Sequence, residues 1–218
     1  GMLHEDEAAQ RLRTLAQNAY MTATDVKEGK IELKAAIHGL FRVDVERLYA
    51  VNCQDEVMIA TRHTNTVVHP GDKLAGMRVI PLVVSEETVQ AAERAAGDKP
   101  LLELLPFVRK TAAIVTTGSE VFYGRIEDKF TPVLRAKLEQ FGVEVRSEGK
   151  VPDDRAQIIS AIQAAHESGA ELILCTGGIS VDPDDQTPGA IKAAGVEVVH
   201  YGAPVLPGAM FLLGYFPD

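Results

Sequence analysis

The second half of the chain alternates short apolar runs with stretches of helical periodicity. Apolar runs of strand length occupy residues 111–117, 143–149, 171–175 and 196–202. Segments with an apolar residue every three or four positions lie between them, at 126–141, 153–168 and 187–194. Strands that alternate with helices predict a parallel sheet built from crossover units. Ligands bind at the carboxyl ends of the strands in such sheets, so we expect the site in the loops 117–125, 149–154 and 176–186.

The first half of the chain has a different pattern of apolar and polar residues. Residues 4–20 carry one apolar helical face, and residues 45–51 and 86–96 are also helical in pattern. Short β-like runs occur at 31–37, 55–61 and 77–84. The pattern predicts a smaller, mixed, strand-rich domain over 1–107, followed by an α/β domain with a mostly parallel sheet over 108–218.

Composition narrows the class of protein. The chain has 218 residues, 46% of them hydrophobic, and 22 basic against 31 acidic side chains give a formal charge of −9. An acidic balance argues against nucleic acid as the partner. No apolar run approaches the roughly 20 residues that cross a bilayer, so no membrane partner is expected. The two cysteines, Cys53 and Cys175, lack metal or disulfide spacing, which favours a reducing, cytoplasmic setting and a packed thiol at Cys175.

The most informative segment follows the third run of the second half. Two adjacent glycines, Gly177 and Gly178, lead toward Thr187-Pro188, which has the residue types of a helix N-terminus. A strand, a glycine-rich turn and a helix N-terminus together favour phosphate binding through backbone N–H groups. Three aspartates crowd the same segment, Asp182, Asp184 and Asp185. Their mutual repulsion predicts a divalent cation, and Mg²⁺ suits carboxylate and phosphate oxygens.

The two preceding loops supply further candidates. Gly118 permits close backbone approach to a ligand, and Glu120 places a carboxylate at the tip of the first loop or, alternatively, in solvent. In the second loop, one of Asp153 and Asp154 is expected to cap the following helix, and a catalytic role is an equal alternative. Because all three loops leave one edge of the predicted sheet, we expect their polar groups to form a single site.

Residues 111–208 resemble the molybdopterin-binding domain of molybdenum-cofactor biosynthesis proteins. The motifs that carry the resemblance are Thr117-Gly118-Ser119-Glu120, Gly124-Arg125-Ile126-Glu127-Asp128, Val151-Pro152-Asp153-Asp154, and Gly177-Gly178-Ile179-Ser180 closing on Asp185. Pro207-Gly208 resembles the proline-glycine turn late in that domain. The resemblance implies a three-layer sheet, and it implies a further strand and helix, so that the chain is expected to be truncated at its C-terminus.

The resemblance also assigns roles. It implies that molybdopterin, or a nucleotide form of it, is held by Gly118, Ser119, Gly177, Gly178 and Ser180. It implies catalytic roles for Asp185, Asp154 and Glu120, and an Mg²⁺ site at Asp185, Glu120 and Asp182. Relatives of this kind form homo-oligomers, so one is expected here.

Three functions remain open at this stage. The first is a molybdopterin molybdotransferase or adenylyltransferase. The second is a nucleotide-pyrophosphate hydrolase, because Asp184-Asp185 followed by Thr187-Pro188 also resembles the competence-damage-inducible proteins. The third is a cofactor carrier or sensor without catalytic activity. The pattern identifies a domain and leaves its reaction undecided.

Overall fold

The computed structural model describes residues 1–179 and 185–217. The chain divides into two compact units, the N-terminal unit Gly1–Phe107 and the C-terminal unit Val108–Asp218. Within the described residues, no helix is both long enough and apolar enough to cross a membrane.

The N-terminal unit is strand-rich, with three helices among its described residues. Its elements in chain order are β1 (Met2–His4), α1 (Glu5–Ala16), β2 (Met21–Ala23), β3 (Ile31–Ala35), β4 (Gly39–Val43), α2 (Val45–Asn52), β5 (Val57–Thr61), β6 (Thr66–Val68), β7 (Lys73–Val79), β8 (Val83–Ser85), α3 (Glu86–Ala96) and β9 (Leu102–Pro106). An antiparallel sheet has the order β2-β3-β7-β5, a second has the order β6-β4-β9, and β1 pairs with β8.

Strand β3 shows why the four-stranded sheet has one buried face. Its alternate residues Ile31, Leu33 and Ala35 are buried in the core, and Glu32 and Lys34 point to the opposite face. Helix α1 contributes Ala8, Ala9 and Leu12 to the same core. The part of the outer face that β3 contributes is therefore polar and partly exposed.

Sequence patterning located the three helices and strands β3, β5, β7 and β8, with two corrections, and it did not predict β1, β2, β4, β6 or β9. The helix predicted over 4–20 ends at Ala16, and Tyr20 has a φ of 65°, outside the helical range. The run 77–84 is not one strand, because β7 ends at Val79 and β8 begins at Val83. Pro81 lies between them and has no N–H to donate to a strand ladder. The helix predicted over 86–96 is confirmed as α3.

The C-terminal unit alternates strands and helices. Its elements are β10 (Thr111–Thr117), α4 (Ser119–Phe122), α5 (Phe130–Gln140), β11 (Glu144–Val151), α6 (Arg155–Glu167), β12 (Leu172–Thr176), α7 (Thr187–Ala193), β13 (Glu197–Tyr201) and β14 (Leu212–Tyr215). Strands β11, β10 and β12 form a parallel sheet with β10 in the centre, where all its residues are buried.

Helices cover both faces of this sheet. On one face, Ala112 and Ile114 of β10 pack with Leu138 of α5. On the other face, Ile158 and Ile162 of α6 pack with Ala190 and Ile191 of α7 and with Cys175 of β12. The predicted α/β class with a three-layer arrangement is thus confirmed.

Two expectations for this unit are corrected. The helix predicted over 126–141 begins only at Phe130, because the Asp128 carboxylate accepts hydrogen bonds from the amides of Phe130 (3.1 Å) and Thr131 (3.0 Å) and so starts the helix there. The run 196–202 forms β13, but it pairs antiparallel with β14 and does not extend the parallel sheet within the described residues. Residues 202–211 reverse the chain and allow that antiparallel pairing.

Candidate functional site

The register of the parallel sheet brings the three glycine- and acid-bearing loops to one edge. Thr117, the last residue of β10, lies opposite Val151, the last residue of β11. Thr116 lies opposite Thr176, the last residue of β12. The loops that begin at residues 118, 152 and 177 therefore leave the sheet side by side.

Reciprocal hydrogen bonds join the first loop to the second. The amide of Gly118 donates to the carbonyl of Val151 (3.0 Å). The amide of Ser119 donates to Oδ2 of Asp153 (2.8 Å), and the amide of Asp153 donates to Oγ of Ser119 (3.1 Å). Because Oγ of Ser119 accepts in this pair, its own proton can be donated to a ligand. Sequence reasoning missed the role of Asp153 as a partner of Ser119, and its position in the Val-Pro-Asp-Asp motif is the signal that could have marked it.

Asp154 caps helix α6. Its Oδ1 accepts a hydrogen bond from the amide of Gln157 (2.9 Å), three residues later, as an N-cap carboxylate does. Of the two aspartates considered for this role, the structure assigns it to Asp154. A catalytic role for Asp154 stays a prediction, and it would have to coexist with the cap.

The third loop needs glycine because it lies against the end of β10. Gly177 and Gly178 have φ angles of 87° and 55°, in the left-handed region that glycine tolerates best. A Cβ on Gly177 would overlap the carbonyl oxygen of Thr117, and one on Gly178 would lie 2.6 Å from Oγ1 of Thr187. Packing against Thr117 and Thr187 thus demands these glycines even before any ligand binds.

Hydroxyl groups fasten this loop to helix α7. Oγ1 of Thr117 donates to the carbonyl of Thr176 (3.2 Å) and lies 3.0 Å from Oγ1 of Thr187, which is fully buried. Since the Thr117 proton goes to the carbonyl, Thr187 is the donor in the bond between the two hydroxyls. Ends of β10, β12 and α7 are held together by these two bonds.

A second chain of hydroxyls runs from β12 to Asp128. Oγ1 of Thr176 donates to Thr116 (3.4 Å), Thr116 lies 3.0 Å from Thr131, and Thr131 donates to Oδ2 of Asp128 (2.6 Å). Lys150 Nζ lies 3.4 Å from the same carboxylate oxygen. Burial raises the pKa of Asp128, but hydrogen bonds from Thr131 and Lys150 outweigh it and hold the pKa below the ordinary range. An ionised Asp128 thus anchors the chain.

The predicted acidic residues are placed differently from one another. Glu120 is exposed in the first turn of α4, and Asp185 is half-buried just before α7. Ser180 and Asp182, with Asp184, lie outside the described residues. Over 1–179 and 185–217, no three His, Cys, Asp or Glu side chains are grouped closely enough to hold a metal ion. A Mg²⁺ ion that arrives with phosphate needs only one or two carboxylates from the protein, and Asp185 and Glu120 are oxygen donors of that kind.

The edge of the sheet can bind a small anionic molecule. It offers the hydroxyl of Ser119 and the glycine turn at Gly177 and Gly178, with the carboxylates of Glu120 and Asp185 in the neighbouring segments. Cys175 is not a candidate nucleophile there, because burial raises the pKa of its thiol to about 11 and keeps it protonated near neutral pH. This agrees with the packed thiol expected from the sequence.

Comparison with known proteins points to the same region. Residues 113–215 match the family described as probable molybdopterin binding domain. The molybdopterin molybdenumtransferase of Synechococcus elongatus is 28% identical over 151 residues, which cover 66% of this chain and 35% of that protein. A CinA-like protein of Mycobacterium tuberculosis is 35% identical over 80 residues, which cover 37% of this chain and 19% of that protein.

Solved structures include the molybdopterin biosynthesis enzyme MoaB of Thermus thermophilus. It is 29% identical with a TM-score of 0.37, and the match covers 38% of this chain and 54% of that one. The chain spans only about a third of the length of the Synechococcus relative, or 35%. The match to the family described as probable molybdopterin binding domain covers residues 113–215, just under half of this chain.

Proposed function

We propose that the C-terminal unit binds molybdopterin, or a nucleotide form of it, and serves molybdenum-cofactor biosynthesis. The observation that carries the proposal is the register of β10, β11 and β12, which sets three loops at one sheet edge. The family match over 113–215 supports molybdopterin as the ligand. The charge of −9 fits a small-molecule partner better than a nucleic acid.

The predicted ligand-binding and metal-binding residues each have a place in this proposal. Gly118, Gly177 and Gly178 would let backbone approach the phosphate end of the ligand, and the hydroxyl of Ser119 would donate to it. Ser180 would add a second hydroxyl. Mg²⁺, when bound, would neutralise phosphate charge during adenylyl or molybdate transfer, and Asp185, Glu120 and Asp182 would be its protein ligands.

Calorimetry on the whole chain tests this proposal. We expect AMP to bind in the presence of Mg²⁺, and Asp185→Asn to weaken that binding at least tenfold while leaving the weaker, Mg²⁺-independent binding unchanged. Glu139→Gln is the matched control, since Glu139 is an exposed acid on α5, away from the loops. Absence of binding for both AMP and molybdopterin, with Mg²⁺ present, would contradict the proposal.

A second candidate is nucleotide-pyrophosphate hydrolysis. The match to the CinA-like protein favours it, together with the Asp185-Gln186-Thr187 run ahead of α7. Steady turnover of ADP-ribose that Asp185→Asn abolishes would support hydrolysis. Tight molybdopterin binding without turnover, retained in Asp185→Asn, would support a carrier instead.

We also propose that the protein is a cytoplasmic homo-oligomer. Large apolar side chains are exposed in the C-terminal unit at Phe122, Tyr123, Phe130, Leu206 and Phe211. A contiguous patch of such side chains would mark an association surface. Light scattering coupled to gel filtration would show a multiple of the chain mass, and a monomer at high micromolar concentration would contradict oligomer formation.

A further inference from the structure

The N-terminal unit has a groove on the outer face of its four-stranded sheet. The ladder places Gly76 of β7 opposite Glu32 of β3 on one side and opposite Ala60 of β5 on the other. Side chains that are directly opposite in a ladder share one face, so the two smallest of them, Gly76 and Ala60, form a floor. Longer side chains border this floor and form an open depression with a volume of about 360 Å³.

Basic side chains line the groove. Lys30, Arg62, Lys73 and Arg78 are the cations, and Glu32 is the one acidic residue among the lining residues. This excess of positive charge stands out in a chain whose formal charge is −9. The adjoining depression shares Lys30, Glu32 and Arg78 with the groove and adds Asp25, Lys27 and Glu28, so its acidic and basic residues balance.

Glu32 holds two of the cations in place. Nζ of Lys30 lies 2.8 Å from its Oε1, and Nζ of Lys73 lies 3.0 Å from its Oε2. Hydrogen bonds from Lys30 and then Lys73 lower the pKa of Glu32 to about 2, so it stays ionised at neutral pH. Each ammonium group has three N–H donors, and the bonds to Glu32 leave others for a ligand. The ammonium groups of Lys30 and Lys73 are therefore held in position and still have N–H donors for a ligand.

Arg78 is the cation with the greatest capacity for a new partner. Its Nε donates to the carbonyl of Val79 (3.2 Å), and across the described parts of the chain no carboxylate lies within ion-pair distance of it. Met58, 42% exposed, is its cross-strand neighbour. The guanidinium of Arg78 offers charge, and the exposed thioether of Met58 and the backbone at Gly76 offer apolar contact beside it.

We propose that this groove binds a small organic phosphate with a flat apolar body. The body lies over Gly76 and Ala60 against Met58, and the phosphate meets Arg78 and the lysine heads. A volume of about 360 Å³ is at the lower end of ordinary ligand pockets, about 300–1,000 Å³, which fits a compact ligand. The site is independent of the loops of the C-terminal unit, so its failure and the failure of the proposed function are separate results.

Titration of phenyl phosphate into the whole chain, followed by NMR, tests the proposal. We expect saturable shifts at residues of β5 and β7, with affinity that falls as salt rises. Inorganic phosphate alone is expected to bind at least tenfold more weakly, because it makes no use of the floor. Equal affinity for the two probes, or no saturable shift with phenyl phosphate, would overturn the proposal.

Gly76→Val tests the floor without altering any charge. A Cβ at Gly76 would meet only Cε of Lys30 at 4.0 Å, and valine suits a strand, so the fold should tolerate the change. We expect at least tenfold weaker phenyl phosphate binding, and Ala60→Val repeats the test from β5 if Gly76→Val unfolds the protein. Unchanged affinity in a folded filling variant would overturn the assignment.

Arg78→Gln tests the charge. We expect at least fivefold weaker binding of phenyl phosphate, and Lys99→Gln, an exposed lysine of the same unit outside the groove, should leave affinity unchanged. Equal losses in the two variants would show only a general effect of protein charge and would overturn the site.

Discussion

Among the glycines of the described residues, Gly177 has the closest contact at its Cβ position. Gly177→Ala would both strain a φ of 87° and press a methyl group into the Thr117 carbonyl. Gly142→Ala is the matched control, because Gly142 has a φ of 65° and nothing within 4 Å of its Cβ position. We expect the control to lose about 1 kcal/mol of unfolding free energy from backbone strain alone, and Gly177→Ala to lose about 2–4 kcal/mol.

Urea unfolding of both variants measures the difference. If the two lose the same stability, the loop does not lie against Thr117 as described, and the need for glycine would come from backbone conformation alone. A larger loss in Gly177→Ala shows that the glycine is required by packing.

Asp128 is the second residue with a measurable role, through its charge. Asp128→Asn removes the anion that accepts from Thr131 and pairs with Lys150, and bonds to charged groups contribute about 1.5–3 kcal/mol. Because the folded-state pKa lies below the ordinary value of about 3.9, this stability is complete above that pH. It is lost as pH falls through the folded-state pKa.

The unfolding free energies of wild type and Asp128→Asn should therefore differ most near pH 7 and converge as the pH falls through the folded-state pKa of Asp128. Glu127→Gln, an exposed neighbour, should match wild type throughout. A difference between wild type and Asp128→Asn that does not shrink as the pH is lowered into the acid range would contradict the role of an ionised Asp128.

At the scale of the element, the start of α6 separates two roles of Asp154. Asp154→Ala removes the cap and should lower the unfolding free energy by about 1 kcal/mol, whereas Asp154→Asn keeps an acceptor and should lose little. If Asp154 is also catalytic, Asp154→Asn would lose turnover with stability intact. Thermal unfolding and an activity assay on the two variants distinguish the cap from the chemistry.

Strands and helices with one clear periodicity could be predicted closely from sequence. Strand β10 and helix α3 occupy the predicted residues. The apolar run of β10 and the apolar helical face of α3 each match the pattern of one kind of element. Helix α5 begins later than its pattern predicts, since apolar spacing continues through 126–129 and the start comes from a side-chain bond of Asp128. The partner of β13 could not be predicted, because strand pairing depends on residues far away in sequence.

The candidate site was predictable to the level of loops and not of contacts. Loop positions follow from where parallel strands end, so Gly118, Glu120 and Gly177 could be assigned to one edge. The bond between Ser119 and Asp153, and the hydroxyl chain ending at Asp128, depend on a register that apolar patterning does not encode. The sequence does not show which hydroxyl group a threonine at the end of a strand will bond to.

At the scale of the whole molecule, the two units differ in how they are packed. Within the described residues, the core of the N-terminal unit is one large cluster, and that of the C-terminal unit is two small clusters on opposite sheet faces. Burial of apolar surface is the main source of stability, so we expect the C-terminal unit to unfold first in urea. Hydrogen exchange should show weaker protection for β11 than for β7, and the reverse order would contradict this.

Ligands should then act on one unit each. A ligand that binds only the folded form at about 100 times its dissociation constant adds about 2.7 kcal/mol to the stability of the unit that holds it. AMP with Mg²⁺ should protect β10 and α6 from hydrogen exchange, and phenyl phosphate should protect β3 and β7. Gly76→Val should abolish the second effect and leave the first, and Asp185→Asn should do the opposite. Protection of the same strands by both ligands would contradict two sites on units that open independently, because each ligand would then protect only the unit that binds it.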